Sequence, residues 1–328
     1  MKLLSCYHGD ELLSLVQLRI ISFSKNTWSS NISGLKKYRD FCLKRNVEPF
    51  LVDMNQLQLC LIEMVKNHKS TQILEHLVNS VIFSSNFLGW SLTSKERSIK
   101  DLLKCVSKLT IKSCKRKHGI DSKDLNILWD KIRKEGDIES LSLTELRTCV
   151  LMVFCFHTLC RFSCAQVIET TDLKFHKKYF DVKISRSKTD QAGHGQNLIL
   201  TKYKSVNDPH LLLCVYLNAI NPSCKDQFLF PPLKWDPSSR SWVANEAQTL
   251  SYSAAYQSFK KLLNKFGLDV KKYGLHSPRI GGTTKLFQKN VSKRLIDRMG
   301  RWKSSRSKYI YGRDSNDYIA KQLRKLHT

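Results

Sequence analysis

The stretch Gly274-Leu-His276-Ser-Pro278-Arg279-Ile-Gly-Gly-Thr283 brings a histidine, a proline and an arginine together within a few residues. Proline suits the first turn of a helix, where its missing N–H is not needed and its fixed φ is already helical. With Pro278 there, His276 stands at the helix start and Arg279 one turn in, so both can point at one anion near the positive helix end. Three further segments surround this one. Thr158-Leu-Cys-Arg161-Phe-Ser163 sets an arginine just beyond an apolar helix. Ser185-Arg-Ser-Lys188-Thr-Asp-Gln-Ala-Gly-His-Gly195 sets a lysine at the tip of a hairpin, and Met299-Gly-Arg301-Trp302-Lys-Ser-Ser-Arg-Ser-Lys-Tyr309-Ile-Tyr311 ends on two tyrosines. Taken singly, each has a plain explanation: a cation on a helix C-terminus, a solubilising hairpin lysine, a packing Tyr-Ile-Tyr.

Charge narrows the choice of partner. Lys+Arg 55 against Asp+Glu 28 leaves +27, which suits a polyanion and argues against a typical enzyme of neutral metabolites. Nucleic acid is the expected partner, and the family resemblance given below narrows it to double-stranded DNA. The 328 residues predict two domains at roughly 100 to 200 residues each, and a hydrophobic content of 41% lets each bury a core. The longest nearly uncharged apolar run, Cys149 to Cys160, is 12 residues, short of the ~20 that a membrane-spanning helix needs. No membrane association is expected, and Met1 to Leu13, with His8, Asp10 and Glu11, forms no secretory apolar region. The 11 cysteines are odd in number and include no Cys-x-x-Cys pair, so they read as buried thiols rather than a disulfide framework or a zinc site. No metal and no cofactor is expected.

From Glu11 to about Ile111 apolar residues recur every three or four positions, which predicts an all-α half. Thr27 and Ser29 are candidate caps for a helix with the stripe Ile32, Leu35, Tyr38 and Phe41 or Cys42. Asp53 caps a second helix carrying Met54, Leu57, Leu61, Met64 and Val65; a third runs Ile73 to Phe87, and Ser94 caps a fourth. The basic run Lys112 to Gly119 marks the boundary, giving a helical domain at 1–113, a basic linker at 114–120 and a second domain at 121–328 that ends in a helix. That second half is mixed. Asp121 to Lys134 is helical, and Ser142-Leu-Thr-Glu145 is a capping box opening an apolar helix to about Cys160. Leu173 to Phe175, Tyr179 to Ile184 and Asn197 to Leu200 are short strands, and His210 to Ala219 and Ser251 to Phe266 are helices. The segments around Phe230-Pro-Pro232 and Asp236-Pro237 read as loop. The fold class is mainly α with a small β-sheet, α+β.

In this order, Arg161, Lys188, His276-x-x-Arg279, Gly300-Arg301-Trp302 and a late tyrosine resemble the tyrosine recombinase (phage integrase-like) superfamily. Ser187-Lys188-Thr-Asp-Gln191, His276-Ser-Pro-Arg279-Ile-Gly-Gly282 and Gly300-Arg-Trp-Lys-Ser304 are similar to its Crypton-type eukaryotic mobile-element branch. The resemblance implies a helical DNA core-binding domain followed by a catalytic domain. It implies Arg161 and Arg279 as the phosphate-binding arginines, Lys188 as the hairpin lysine, His276 as the histidine of His-x-x-Arg and Tyr309 as nucleophile, with Tyr311 the second choice. Arg301 stands where the second histidine is usual, beside Trp302. Cys164 stands where many members carry glutamate, so the acidic orienter of Arg161 must come from elsewhere. A 3′-phosphotyrosyl intermediate, a homo-tetramer on DNA with a dimer at each site, and action in the nucleus are also implied. An inactive, domesticated DNA-binding descendant and a type IB topoisomerase-like enzyme are the alternative readings.

These residue types suit phosphodiester displacement without a metal. Two guanidinium forks neutralise the nonbridging oxygens, a contribution of about 2.7 to 4 kcal/mol for each fixed donor by analogy with an oxyanion hole. Lys188 protonates the leaving oxygen, and the cations around the tyrosine favour its anion.

Overall fold

The computed structural model describes residues 17–18, 20–49, 53–87, 96–109, 117–134, 136, 138–185, 190, 194–203, 208–221, 227–245 and 248–302. The chain divides into two compact units, Met1–Cys114 and Lys115–Thr328.

The first unit is helical throughout its described elements: α1 (Lys25–Lys44), α2 (Met54–Lys66), α3 (Thr71–Phe87) and α4 (Glu96–Leu109). Helix α1 starts earlier than its threonine and serine suggest, because the Ser24 side chain accepts from the N–H of Thr27 and is itself the cap. Ile32 accordingly falls outside the buried stripe, at 58% exposure. The face that meets α3 is set by Gly34, where a Cβ would strike the hydroxyl of Ser80, and by Tyr38, Phe41 and Cys42. Asp53 caps α2 as its sequence position predicts, accepting from Asn55 N–H at 3.0 Å. Leu57, Leu61, Leu74, Leu77, Val81, Ile99 and Val106 complete the core. Ser94 lies outside the described residues.

The second unit begins inside the basic run. His118 N–H donates to Lys272 O at 2.7 Å and Ile120 N–H to Ser277 O at 2.9 Å, so Lys117–Ile120 belongs to the packed unit rather than to a free linker. Helix α5 (Ser122–Lys134) is followed by α6 (Leu143–Thr158), opened by the capping box: Ser142 accepts from Glu145 N–H while the Glu145 carboxylate accepts from Ser142 N–H. Helix α6 is buried on nearly every face, as its continuous apolar sequence requires. One turn of helix, α7 (Phe162–Ala165), leads into the antiparallel meander β1 (Leu173–His176), β2 (Tyr179–Ile184) and β3 (Gln196–Thr201). Phe180, Val182, Ile184, Leu198 and Leu200 alternate into the core, the period-2 pattern of a sheet with one wet face. Helix α8 (Pro209–Ile220) precedes a second sheet, the hairpin β4 (Leu233–Asp236) and β5 (Ser241–Ala244). This hairpin replaces the loop expected from the prolines. Trp235 and Trp242 face each other across it with ring centroids 5.8 Å apart, a cross-strand pair that holds two very short strands. Helices α9 (Tyr252–Lys265), α10 (Ser277–Gln288) and α11 (Lys293–Gly300) complete the described unit.

Two adjacent glycines decide how closely α10 docks. A Cβ on Gly281 would lie 1.5 Å from the carbonyl oxygen of Ile120, and one on Gly282 would lie 2.0 Å from that of Phe156 in α6. Glycine to alanine inside a helix ordinarily stabilises, by up to about 1 kcal/mol. Gly281→Ala is expected to have the opposite sign, lowering stability by about 3 kcal/mol because the obstacle is backbone that cannot rotate away. Denaturant unfolding of the two proteins checks the sign.

Candidate active site

The site is built where α6 ends. Leu159 takes the left-handed conformation (φ 52°) and stops that helix, which turns Cys160 and Arg161 back across its end. Arg161 then precedes α7, its carbonyl accepting from the N–H groups of Cys164 and Ala165. Pro278 occupies the first turn of α10, as its sequence position predicts, and Arg279 projects inward from that turn. It is 0% exposed. Its Nη1 donates to Leu159 O and its Nη2 to Gly300 O at 2.7 Å, so one guanidinium ties the end of α6 to the end of α11. The same group lies over the Trp302 ring at 4.4 Å, a stacked arrangement suited to arginine. Trp302 in turn packs with Leu159 and Ile296.

Arg301 also takes the left-handed conformation, closing α11 with its N–H on Arg298 O. Non-glycine residues adopt this region at a cost of roughly 1 to 2 kcal/mol, and here two of them, Leu159 and Arg301, flank one site. The Arg301 Nη2 reaches Cys160 Sγ at 3.7 Å. Arg161 is half-buried, and its Nη1 is buried with no hydrogen-bond partner among the described residues. Arg161, Arg279 and Arg301 thus gather on the single segment Leu159–Cys164.

No protein-family model matches this chain, and no curated protein does. Solved structures do. The Tn1549 transposon integrase in complex with transposon right end DNA superposes with a TM-score of 0.62 at 12% identity, covering 96% of this chain and 98% of that one. The XerH site-specific recombinase bound to palindromic difH substrate gives 0.59 at 15% identity, over 85% of this chain and 71% of that one. A lambda integrase dimer bound to a COC′ core site gives 0.58 at 13% identity, over 92% and 95%. The chain has the tyrosine-recombinase fold.

Within that fold, the sequence-predicted residues fall into three groups. Arg161, Arg279, Arg301 and Trp302 are brought together as described. His276 stands at the N-cap position of α10 without a side-chain capping bond and is exposed, while Arg279, one turn on, is covered. Lys188, Tyr309 and Tyr311 lie outside the described residues, as does the tail from 303 onward. The base of the lysine's hairpin is nevertheless fixed: Ile184 pairs with Gln196, and the Gln196 amide donates to Arg298 O at 2.7 Å, one turn from Arg301. The Asp190 carboxylate accepts from the N–H groups of His194 and Gly195 on the returning limb.

Sequence reasoning missed the sulfur in this site. Cys160 and Cys164 lie on either side of Arg161, both buried, and Arg301 Nη2 donates to Cys160 Sγ. Their places directly before and three residues after Arg161 were the available signal. Elsewhere in the tyrosine-recombinase fold, burial pushes the Cys149 and Cys155 thiols up to about 12. At Cys164 the hydrogen bond from Cys160, then the charges of Arg301, Arg161 and Arg279, outweigh burial and bring the thiol down to about 6. Cys160 moves the other way and stays protonated.

Proposed function

We propose that this chain is a tyrosine-type DNA recombinase or integrase of a mobile element, cutting and rejoining DNA through a 3′-phosphotyrosyl intermediate. The observation that carries the reading is the buried, unpartnered Nη1 of Arg161 beside two further guanidinium groups. A buried donor without an acceptor costs about 1 to 3 kcal/mol, and a nonbridging phosphate oxygen is the acceptor that such a cationic pocket selects. Arg279, whose Nη1 and Nη2 hold the carbonyls of Leu159 and Gly300, adds fixed positive charge and ties the end of α11, with Arg301 and Trp302, to the segment that carries Arg161.

In the proposed reaction the Tyr309 oxygen attacks phosphorus, a tyrosyl O–P bond forms and the P–O5′ bond breaks. His276, at the exposed start of α10, receives or shares the phenol proton, and Lys188 delivers a proton to the departing 5′-oxygen. The phosphotyrosyl bond keeps the energy of the phosphodiester, so a second 5′-hydroxyl reverses the step without ATP. Arg301 and Trp302 take the place of a second histidine, as donor to the phosphate and as packing for the nucleophile's segment.

Binding rests on the excess charge of +27 and on α9. Its exposed residues Ser253, Gln257, Lys261 and Asn264 recur on one side of the helix, and amide and hydroxyl side chains at that spacing suit base edges in a major groove. Assembly is proposed as a homo-tetramer with a dimer at each site, in keeping with the lambda integrase tetramer bound to a Holliday junction, and action is proposed in the nucleus. The test is recombination between two plasmid-borne copies of the repeats that flank the coding sequence, in chelator and without ATP. Exchange of flanking DNA is the expected result. Tight binding with no exchange favours a domesticated binding protein, and relaxation of supercoils lacking the repeats favours a topoisomerase-like enzyme.

A further inference from the structure

The first described residues of the second unit, 117–121, precede α5 and lie against the segment that carries His276. Alternate N–H groups of this strap bind the two ends of that segment: His118 N–H donates to Lys272 O at 2.7 Å and Ile120 N–H to Ser277 O at 2.9 Å. Lys117 Nζ adds a bond to Lys271 O at 2.7 Å. Between those ends the segment is closed on itself, Gly274 N–H donating to Ser277 Oγ at 2.9 Å and Ser277 N–H to Gly274 O at 2.8 Å. Two side-chain anchors lie just beyond the strap. Tyr273 OH donates to the Asp124 carboxylate on α5 at 3.1 Å, and Lys285 Nζ of α10 to Ser122 Oγ at 3.0 Å.

The register of the strap is fixed twice over. The Ile120 side chain is 1% exposed in the core, and the strap meets α10 backbone to backbone: a Cβ on Gly119 would lie 2.8 Å from the Gly281 nitrogen and 3.1 Å from its Cα. Arg279 has a separate anchorage, since its guanidinium holds the carbonyls of Leu159 and Gly300. His276 stands at the exposed start of α10, one residue before the carbonyl that Ile120 holds. Its backbone therefore goes where the strap puts Ser277, and small displacements of a reacting group are costly. We propose that residues 117–121 are a positioning strap for His276, with Gly119 and Ile120 the residues that set it, so that the chain leading into the second unit governs the group that handles the nucleophile's proton. The catalytic consequence rests on the recombinase reading; the hold on His276 does not.

Gly119→Ala sets a methyl group against backbone that cannot rotate away, so the strap and α10 must part slightly. Single-turnover strand transfer by the full chain is expected to fall about tenfold, a fraction of the ~10²-fold that a 1 Å misplacement costs, while DNA binding stays within about twofold because no cation is lost. Tyr273→Phe keeps the ring and removes only the bond to Asp124; it is expected to lose about threefold and serves alone should Gly119→Ala fail to fold. Measured on the residual transfer of His276→Ala, both losses are expected to vanish, because residues that act through one group are not additive. The imidazole proton resonances of the full chain read the place of His276 without any reaction. The His276 signal, identified by its absence from His276→Ala, is expected to move in Gly119→Ala and Tyr273→Phe while that of His68, in the first unit, stays. An unmoved His276 signal, no loss of transfer, or losses as large without the histidine as with it overturns the proposal. If the signal moves but the wild type transfers no strands with any flanking repeat, the recombinase reading fails and the strap's hold on His276 stands.

Discussion

Arg161→Ala is expected to lower strand transfer by about 10²- to 10³-fold, the loss typical of removing one fixed donor from developing charge. DNA binding is expected to stay within about an order of magnitude, because the remaining cations of a chain with Lys+Arg 55 still hold the phosphate backbone. Stability should hardly move: Arg161 is half-buried, and its Nη1 has no partner among the described residues to lose. Single-turnover strand transfer, a binding titration at fixed salt and a denaturation curve together distinguish this pattern from unfolding. Equal losses of transfer and of binding would mean that Arg161 only contributes charge.

Arg279→Ala is expected to differ in kind. The side chain is fully buried and bridges two helix ends through the carbonyls of Leu159 and Gly300, with Trp302 stacked on it. Truncation strands two buried acceptors, each costing about 1 to 3 kcal/mol, and leaves a cavity against the indole. A loss of about 3 kcal/mol or more in stability should accompany loss of activity. Arg279→Lys is expected to restore little, since a single ammonium cannot reproduce a planar fork on two carbonyls. Urea midpoints measured alongside activity check this, and an alanine variant as stable as wild type would show that the bridge carries no weight in the fold.

The contrast between these two arginines marks where sequence and structure part. Spacing after Pro278 and after the apolar helix named both residues, because proline chemistry and helix periodicity are local. What Arg279 touches depends on a left-handed Leu159 and on the carbonyl of Gly300, which reach it from 120 and 21 residues away; neither leaves a local trace. The same division runs through the fold. The Ser142–Glu145 box and the alternation in β2 and β3 were readable, since caps and period-2 burial are written within a few residues. The β4–β5 hairpin was hidden by Pro231 and Pro232, which directly precede β4, and by Pro237 in the turn between the two four-residue strands. Ser24 is not marked as a cap by the apolar stripe, which begins later, and the stripe itself misplaces Ile32, whose turn is buried by glycine instead. The cysteine spacing excludes metal-ligand and disulfide patterns, whereas the contact of Cys160 with Arg301 joins residues far apart in sequence and leaves no local trace.

The proposed activity turns on a covalent bond that no binding protein makes. Duplex DNA carrying a candidate recombination site, nicked so that the 5′-hydroxyl product diffuses away, should trap the protein on the 3′-phosphate in a complex stable to denaturation. Proteolysis and sequencing of the DNA-linked peptide should place the adduct on Tyr309. Tyr309→Phe should abolish it while Tyr311→Phe leaves it intact, because one phosphorus takes one phenolic oxygen. An adduct on Tyr311 would reassign the nucleophile within the same chemistry; no adduct with any flanking repeat that the protein binds tightly would contradict the account.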